Sequence, residues 1–173
     1  MDKRAFFSIT FDPKGKTTMM EFFENVDLPQ RIAFLSAIAH LARVDGEFDG
    51  NEKQFFVDLA KLYNLNKEQA KEAIRPRTEE EALDLVKTIT DKGFALVLIR
   101  EMFYLGYEDG DLSDSEILFI SKVGMALNIP LEKMEQISNW VIRGIEWEEE
   151  GAQIFSDYQP ADMSEDELDS YDF

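Results

Sequence analysis

The chain has no cysteine and a single histidine, His40. Disulfides, thiolate metal sites and cysteine nucleophiles are therefore excluded, and a reducing compartment fits. One histidine cannot build a His-rich zinc site, and a Ser-His-Asp triad would have to use His40 itself. Positive charge is scarce too: 18 Lys and Arg stand against 36 Asp and Glu, a formal net charge of −18. Such a surface repels nucleic-acid phosphates and anionic lipid, so no direct nucleic-acid binding is expected. It favours divalent cations, basic proteins and basic peptides. Long apolar runs are also missing. The most apolar stretch, Phe94–Leu105, carries Arg100 and Glu101 and is far shorter than the roughly 20 residues that span a bilayer. It reads as a central buried helix rather than a transmembrane segment. Met1–Phe7 has no apolar run or small-residue cleavage site behind it, so no signal peptide is expected and the cytoplasm is the expected location.

What the chain does have is two short acidic loops between apolar helical stretches. One is Asp45-Gly46-Glu47-Phe48-Asp49-Gly50-Asn51-Glu52, the other Asp109-Gly110-Asp111-Leu112-Ser113-Asp114-Ser115-Glu116. Both read Asp-Gly-acid-apolar-x-x-x-Glu, and they lie 64 residues apart. The same offset carries 30–74 onto 94–138: Asn64 falls on Asn128, Leu65 on Ile129, Phe55 on Phe119 and Leu35 on Ile99. Apolar positions match apolar positions across two helices and the loop joining them. The pattern is a duplicated helix–loop–helix unit. Two copies are too few for a solenoid, so an all-α bundle with an approximate internal two-fold axis is expected.

At 173 residues the chain fits one domain with a full core. Residues 1–27 read as an N-terminal arm with a short helix over Thr17–Val26. Within the arm, 5–11 alternate apolar and polar near their end, before the turn Asp12-Pro13-Lys14-Gly15, as a strand, hairpin or extended arm would. Pro29 opens a helix over Gln30–Val44, which Gly46 would stop in a left-handed conformation. Further helices follow: one over Phe55–Tyr63, a short one over Lys67–Ile74, and one over Glu79–Ile89 started by a Thr78–Glu81 capping box. In the second copy Phe94–Tyr107 precedes the loop, and Ile117–Leu127 follows it. Pro130 opens a last long helix with Met134, Ile137, Val141 and Ile145 on one side. That makes about seven helices. The acids of Glu146–Glu150 crowd a helix C-terminus, where the dipole disfavours them, so fraying is expected there. Residues 151–173 read as an acidic, disordered tail: from 146 on there are eleven acids and no Lys or Arg.

Capping explains part of each loop. Asp49 and Ser113 suit N-caps, with Glu52 and Glu116 three residues later. Capping does not explain Asp45 and Asp109 at helix C-termini, nor does it need Glu47 and Asp111. Unfavourable charge repeated twice suggests a compensating cation. Asp45, Glu47 and Asp49 followed by Gly50 mimic the opening of an EF-hand loop, but the closing bidentate glutamate would be Phe56 in the first copy and Ile120 in the second. Each loop thus offers part of a coordination shell. Carboxylates from both could complete one oxygen-rich site if the two-fold brings them together. The candidate ligands are Asp45, Glu47, Asp49, Glu52, Asp109, Asp111 and Glu116, and oxygen donors favour calcium, magnesium or manganese. His40, whose counterpart in the second copy is Tyr104, is read as a core or surface histidine rather than a ligand, and Trp140 and Trp147 as packing residues rather than a binding platform.

These paired loops, with Ala39-His40-Leu41-Ala42-Arg43-Val44-Asp45-Gly46 before the first and Glu52 after it, resemble the TerB family of tellurite-resistance B-like helical domains. The resemblance covers roughly 28–140 and gives a TerB-like domain over 28–150. It implies an all-helical fold, an acidic centre proposed to hold metal through Asp45, Glu52, Asp109 and Glu116, and roles in tellurium-compound, stress and phage-defence systems peripheral to the inner membrane. On this reading the chain is a non-enzymatic module that binds a divalent cation and protein partners. The alternative is an acidic adaptor or nucleic-acid mimic that docks a basic partner through Glu148, Glu149, Glu150, Asp166, Glu167 and Asp169, interleaved with aromatics. No nucleophile motif, phosphate-cradling glycine loop or histidine cluster speaks for an enzyme.

Overall fold

The computed structural model describes residues 26–44, 46, 50–108, 110 and 112–156, leaving aside the side chains of 50–55 and 108. The expected arm, the helix over Thr17–Val26 except Val26 itself, and the tail from 157 onward lie outside the described residues. Among the described residues there are seven helices and no strand: α1 (Leu28–Leu41), α2 (Gly50–Leu62), α3 (Lys67–Ile74), α4 (Glu79–Val86), α5 (Lys92–Glu108), α6 (Asp114–Ala126) and α7 (Leu131–Phe155). The all-α expectation holds. The chain divides into two compact units, Met1–Ile142 and Arg143–Phe173.

In the first unit α1 is the hub and packs against α2, α3, α4, α5 and α6. Its start is set by Asp27, whose side chain accepts from the Gln30 backbone N–H at 3.0 Å, with Pro29 in the first turn. Every residue from Ala33 to Ala39 is buried, including Ser36. A helix surrounded on all sides must be apolar on all sides, and this stretch is. Ser36 complies by giving its hydroxyl to the Ala73 carbonyl at the end of α3, 2.8 Å away. Phe34 meets Tyr63 edge-on at 5.2 Å and stacks on Phe94 of α5 at 4.7 Å. Such ring pairs add about 0.5–1.5 kcal/mol beyond burial. Phe94, Leu98, Ile99 and Met102 are fully buried, which makes α5 the second central helix.

The duplication is visible in the backbone. A shift of 64 carries the bounds of α2 onto those of α6. Both helices end alike: Asn64 and Asn128 have φ of 53° and 55°. The N–H of Leu65 bonds the Ala60 carbonyl, and that of Ile129 bonds the Gly124 carbonyl, both at 2.9 Å. These are two matching left-handed C-terminal motifs, with asparagine where glycine is commoner.

Two expectations about helix ends in the first unit need correction. Gly46 does not stop α1 in a left-handed conformation. The helix ends at Leu41 and tightens into single turns, Arg43 N–H to His40 and Val44 N–H to Leu41, both at 3.0 Å. Tightening satisfies the last carbonyls without a left-handed residue. The positive φ, 128°, belongs instead to Gly110 in the second loop. The helix expected over Glu79–Ile89 ends at Val86, and its last turn also tightens, through Ile89. Its Thr78–Glu81 capping box is present.

Within the first unit Met134 and Val141 of α7 are buried. A Cβ on Gly124 would lie 2.5 Å from the Met134 sulfur, so glycine lets this side chain seat on α6. In the second unit α7 continues to Phe155, through the acids where fraying was expected. The dipole penalty is confined to the last turn, and Glu, Ala and Gln are good helix formers.

Candidate functional site

The two acidic loops occupy equivalent places, one between α1 and α2, the other between α5 and α6. Asp45, Glu47, Asp49, Asp109 and Asp111 lie outside the described residues. Glu52 is the third residue of α2, with its side chain outside them, and Glu116 is the third residue of α6. Glu116 closes a capping box. Its Oε2 accepts from the Ser113 N–H at 2.9 Å while the Ser113 hydroxyl accepts from the Glu116 N–H at 3.2 Å. Capping therefore claims one of its two carboxylate oxygens. The apolar residue of the second loop is a packing residue. A Cβ on Gly106 would collide with Leu112 Cδ2, so Leu112 occupies the space a side chain there would fill. This contact sets Leu112 against the last turns of α5.

The end of α1 reaches the helix that follows the second loop. His40, five residues before Asp45, packs its ring on Phe119 of α6 with centroids 4.5 Å apart. Burial pushes its imidazole below the ordinary 6.5, outweighing the pull of Glu79 and a hydrogen bond with the Arg77 backbone, and Arg43 lowers it further. Lys122 of α6 ties the same region to α4 through Glu79, 2.6 Å away. His40 therefore packs, half-buried, on α6. Among the described residues no group of three or more His, Cys, Asp or Glu is placed to hold a metal ion. The donors the loops offer are carboxylates, with no thiol and with the one imidazole occupied against a ring. That set fits a hard divalent cation.

Sequence reasoning missed how the few cations are spent. Arg31 Nη1 donates to the Tyr63 carbonyl at 2.8 Å, Arg43 Nη2 to the Ile74 carbonyl at 2.5 Å, and Arg77 Nη1 to the Ala73 carbonyl at 3.0 Å. Each guanidinium thus sits at the C-terminus of α2 or α3, where the dipole favours it. Backbone carbonyls have no signature in a sequence, so nothing pointed to these pairs. Gln30 was missed likewise: its Oε1 accepts from the Thr90 and Asp91 N–H groups at 2.8 and 3.1 Å, joining the start of α1 to the turn before α5. Arg100 and Glu101, both buried, form an ion pair inside α5. Burial lowers the Arg100 pKa and pushes the Tyr63 hydroxyl well above 10, while each attracts the other's charged form.

A groove of about 650 Å³ lies elsewhere in the first unit, lined by Ile89, Leu96, Pro130 and three lysines, Lys87, Lys92 and Lys133. With lysines and no acid on its wall it is not a cation site. Of the residues expected to meet a basic partner, Glu149 and Glu150 are exposed on α7 and Glu148 is half-buried there. Asp166, Glu167 and Asp169 lie outside the described residues. No helix among the described residues is long and apolar enough to cross a membrane.

The architecture defines a class: an all-helical domain built from two copies of one helix–loop–helix unit, each with an acidic loop. A family model described as tellurite resistance protein TerB matches residues 31–139, a span holding both loops and the paired asparagines. The chain belongs to the TerB family. No curated protein matches the chain. No solved structure does either.

Proposed function

We propose that this chain is a non-enzymatic TerB-family module that holds one divalent cation, calcium, magnesium or manganese, between its two acidic loops. In this reading Asp45, Glu52, Asp109 and Glu116 supply the carboxylates, and Glu47, Asp49 and Asp111 complete or surround the shell. The observation that carries it is the seating of His40 on Phe119, which draws the helix entering one loop to the helix leaving the other. Charge adds support. Asp45 and Asp109 follow helix C-termini, where anions are disfavoured unless a cation compensates. The bound ion closes the loops on each other and presents the surrounding surface to protein partners in a stress-response or defence system.

Calorimetric titration of the full chain with calcium, manganese and magnesium chloride tests this. Saturable heat at one ion per chain, with a raised melting temperature, is the expected result. Asp45→Asn and Asp109→Asn should each abolish it, because one shared ion needs both loops. No heat and no thermal shift with any of the three ions would overturn the proposal. Two independent ions, each lost with its own loop, would overturn the sharing.

A further inference from the structure

The last turns of α7 carry a face of exposed apolar side chains. Trp147, expected to be a packing residue, is instead 74% exposed, and Ile154 and Phe155 are 64% and 71% exposed. At 3.6 residues per turn these three fall with Gly144 and Gly151 in one arc about 100° wide. Glu150 borders the arc on one side and Glu148 on the other. The glycines are the informative part. A glycine inside a helix costs about 1 kcal/mol relative to alanine. At Gly106 and Gly124 that cost has a visible reason, since they make room for Leu112 and Met134. At Gly144 and Gly151 an added Cβ would meet nothing within 4 Å. Two helix-weakening residues thus stand beside an exposed tryptophan where no described residue fills the space. Small residues alternating with large ones at this spacing let a second helix approach closely and take the large ones as knobs.

Charge selects the occupant. Residues 144–173 contain eleven acids and no Lys or Arg, and Arg143 just before them is the nearest cation in the chain. A second copy of this chain would bring acid against acid along both borders. We propose that the C-terminal half of α7 is a docking surface for a basic amphipathic helix of a partner protein. The partner's apolar face lies over Gly144 and Gly151 against Trp147 and Ile154, and its Lys or Arg residues lie along the seam opposite Glu150. The surface stands independently of the acidic loops.

The test uses the full chain with Trp140→Phe, so that fluorescence reports Trp147 alone. The probe is a synthetic helix of about six turns made of leucine and lysine, with leucines on one face and lysines on both borders. Its all-glutamate counterpart is the control. The lysine peptide should bind with a blue shift of Trp147 emission, and the glutamate peptide should not. Gly144→Leu with Gly151→Leu leaves the charge unchanged and raises helix propensity, so it should hold or raise the melting temperature while weakening binding about tenfold or more. Trp147→Ala should weaken it similarly. Binding unaffected by either change, or absent altogether, overturns the proposal. So does binding lost on deletion of 157–173 but kept in both variants, since the tail would then be the ligand. Self-association of the unmodified chain in sedimentation velocity, abolished by Trp147→Ala, would assign the face to a second copy and overturn it as well.

Discussion

Gln30→Leu is the sharpest probe of how the start of α1 is tied to the turn before α5. Gln30 is 8% exposed, and its Oε1 accepts from two backbone N–H groups, of Thr90 and Asp91, at 2.8 and 3.1 Å. Leucine keeps most of the volume and removes the acceptor. Each bond has a net worth of about 0.5–1.5 kcal/mol, so the pair contributes about 1–3 kcal/mol. Thr90 and Asp91 are exposed residues, so water recovers part of the loss and keeps the cost from rising further. The gain from burying a slightly more apolar side chain is smaller and opposes it. A loss of about 2 kcal/mol lowers the melting temperature of a domain this size by roughly 4–8 °C. Urea unfolding followed by circular dichroism of the helices measures it, as a lower midpoint at unchanged slope. Gln30→Glu, which keeps an acceptor and sets a negative charge near the start of α5, should recover much of the difference. A midpoint unchanged in Gln30→Leu would refute the reasoning, and so would equal losses in both variants.

Three further outcomes are expected. Asn128→Ala should cost about 1–2 kcal/mol in the same urea assay because φ there is 55°, whereas Asn128→Gly should be close to neutral. Arg100→Met, which leaves Glu101 buried without its partner, should cost about 3–5 kcal/mol; adding Glu101→Leu should return a good part of it, as a double-mutant cycle would show. His40 has its pKa lowered by folding, so the unfolded chain takes up its proton first. Its contribution is present above 6.5 and is lost as pH falls through that value toward the folded pKa. Urea midpoints of the unmodified chain and His40→Gln, compared from about pH 8 down to about pH 5, should therefore diverge, with the unmodified chain losing more stability on acidification.

The parts of the fold readable from the sequence were those that local side chains determine. Thr78 with Glu81 and Ser113 with Glu116 announce helix starts, because the bonds they make run between residues three apart. Asn64 and Asn128 announced the duplication, because each supplies the left-handed turn that ends its helix. The end of α1 was misread because a glycine shortly past a helix suggests a left-handed stop, while successive tight turns can satisfy the same carbonyls. The arginines at helix C-termini and Gln30 were invisible for one reason: their partners are backbone atoms, which leave no mark in a sequence; Arg100 and Glu101 were legible as charges on a buried helix but not as a pair. Of the candidate site, the loop positions and the capping half of Glu116 were legible. The glycine-lined face of α7 was not, since an empty space beside a glycine is a property of three dimensions.

The arginines have one last consequence. Arg43, Arg77 and Arg100 are turned inward onto carbonyls or a carboxylate, and the side chains of Arg77 and Arg100 are only 2% and 10% exposed. Dissolved ions screen what they can reach, which here means the crowded carboxylates outside rather than the guanidinia within. Added sodium chloride therefore relieves mutual repulsion on the exterior without loosening the ties that hold the helix ends, and the molecule becomes one that brine steadies.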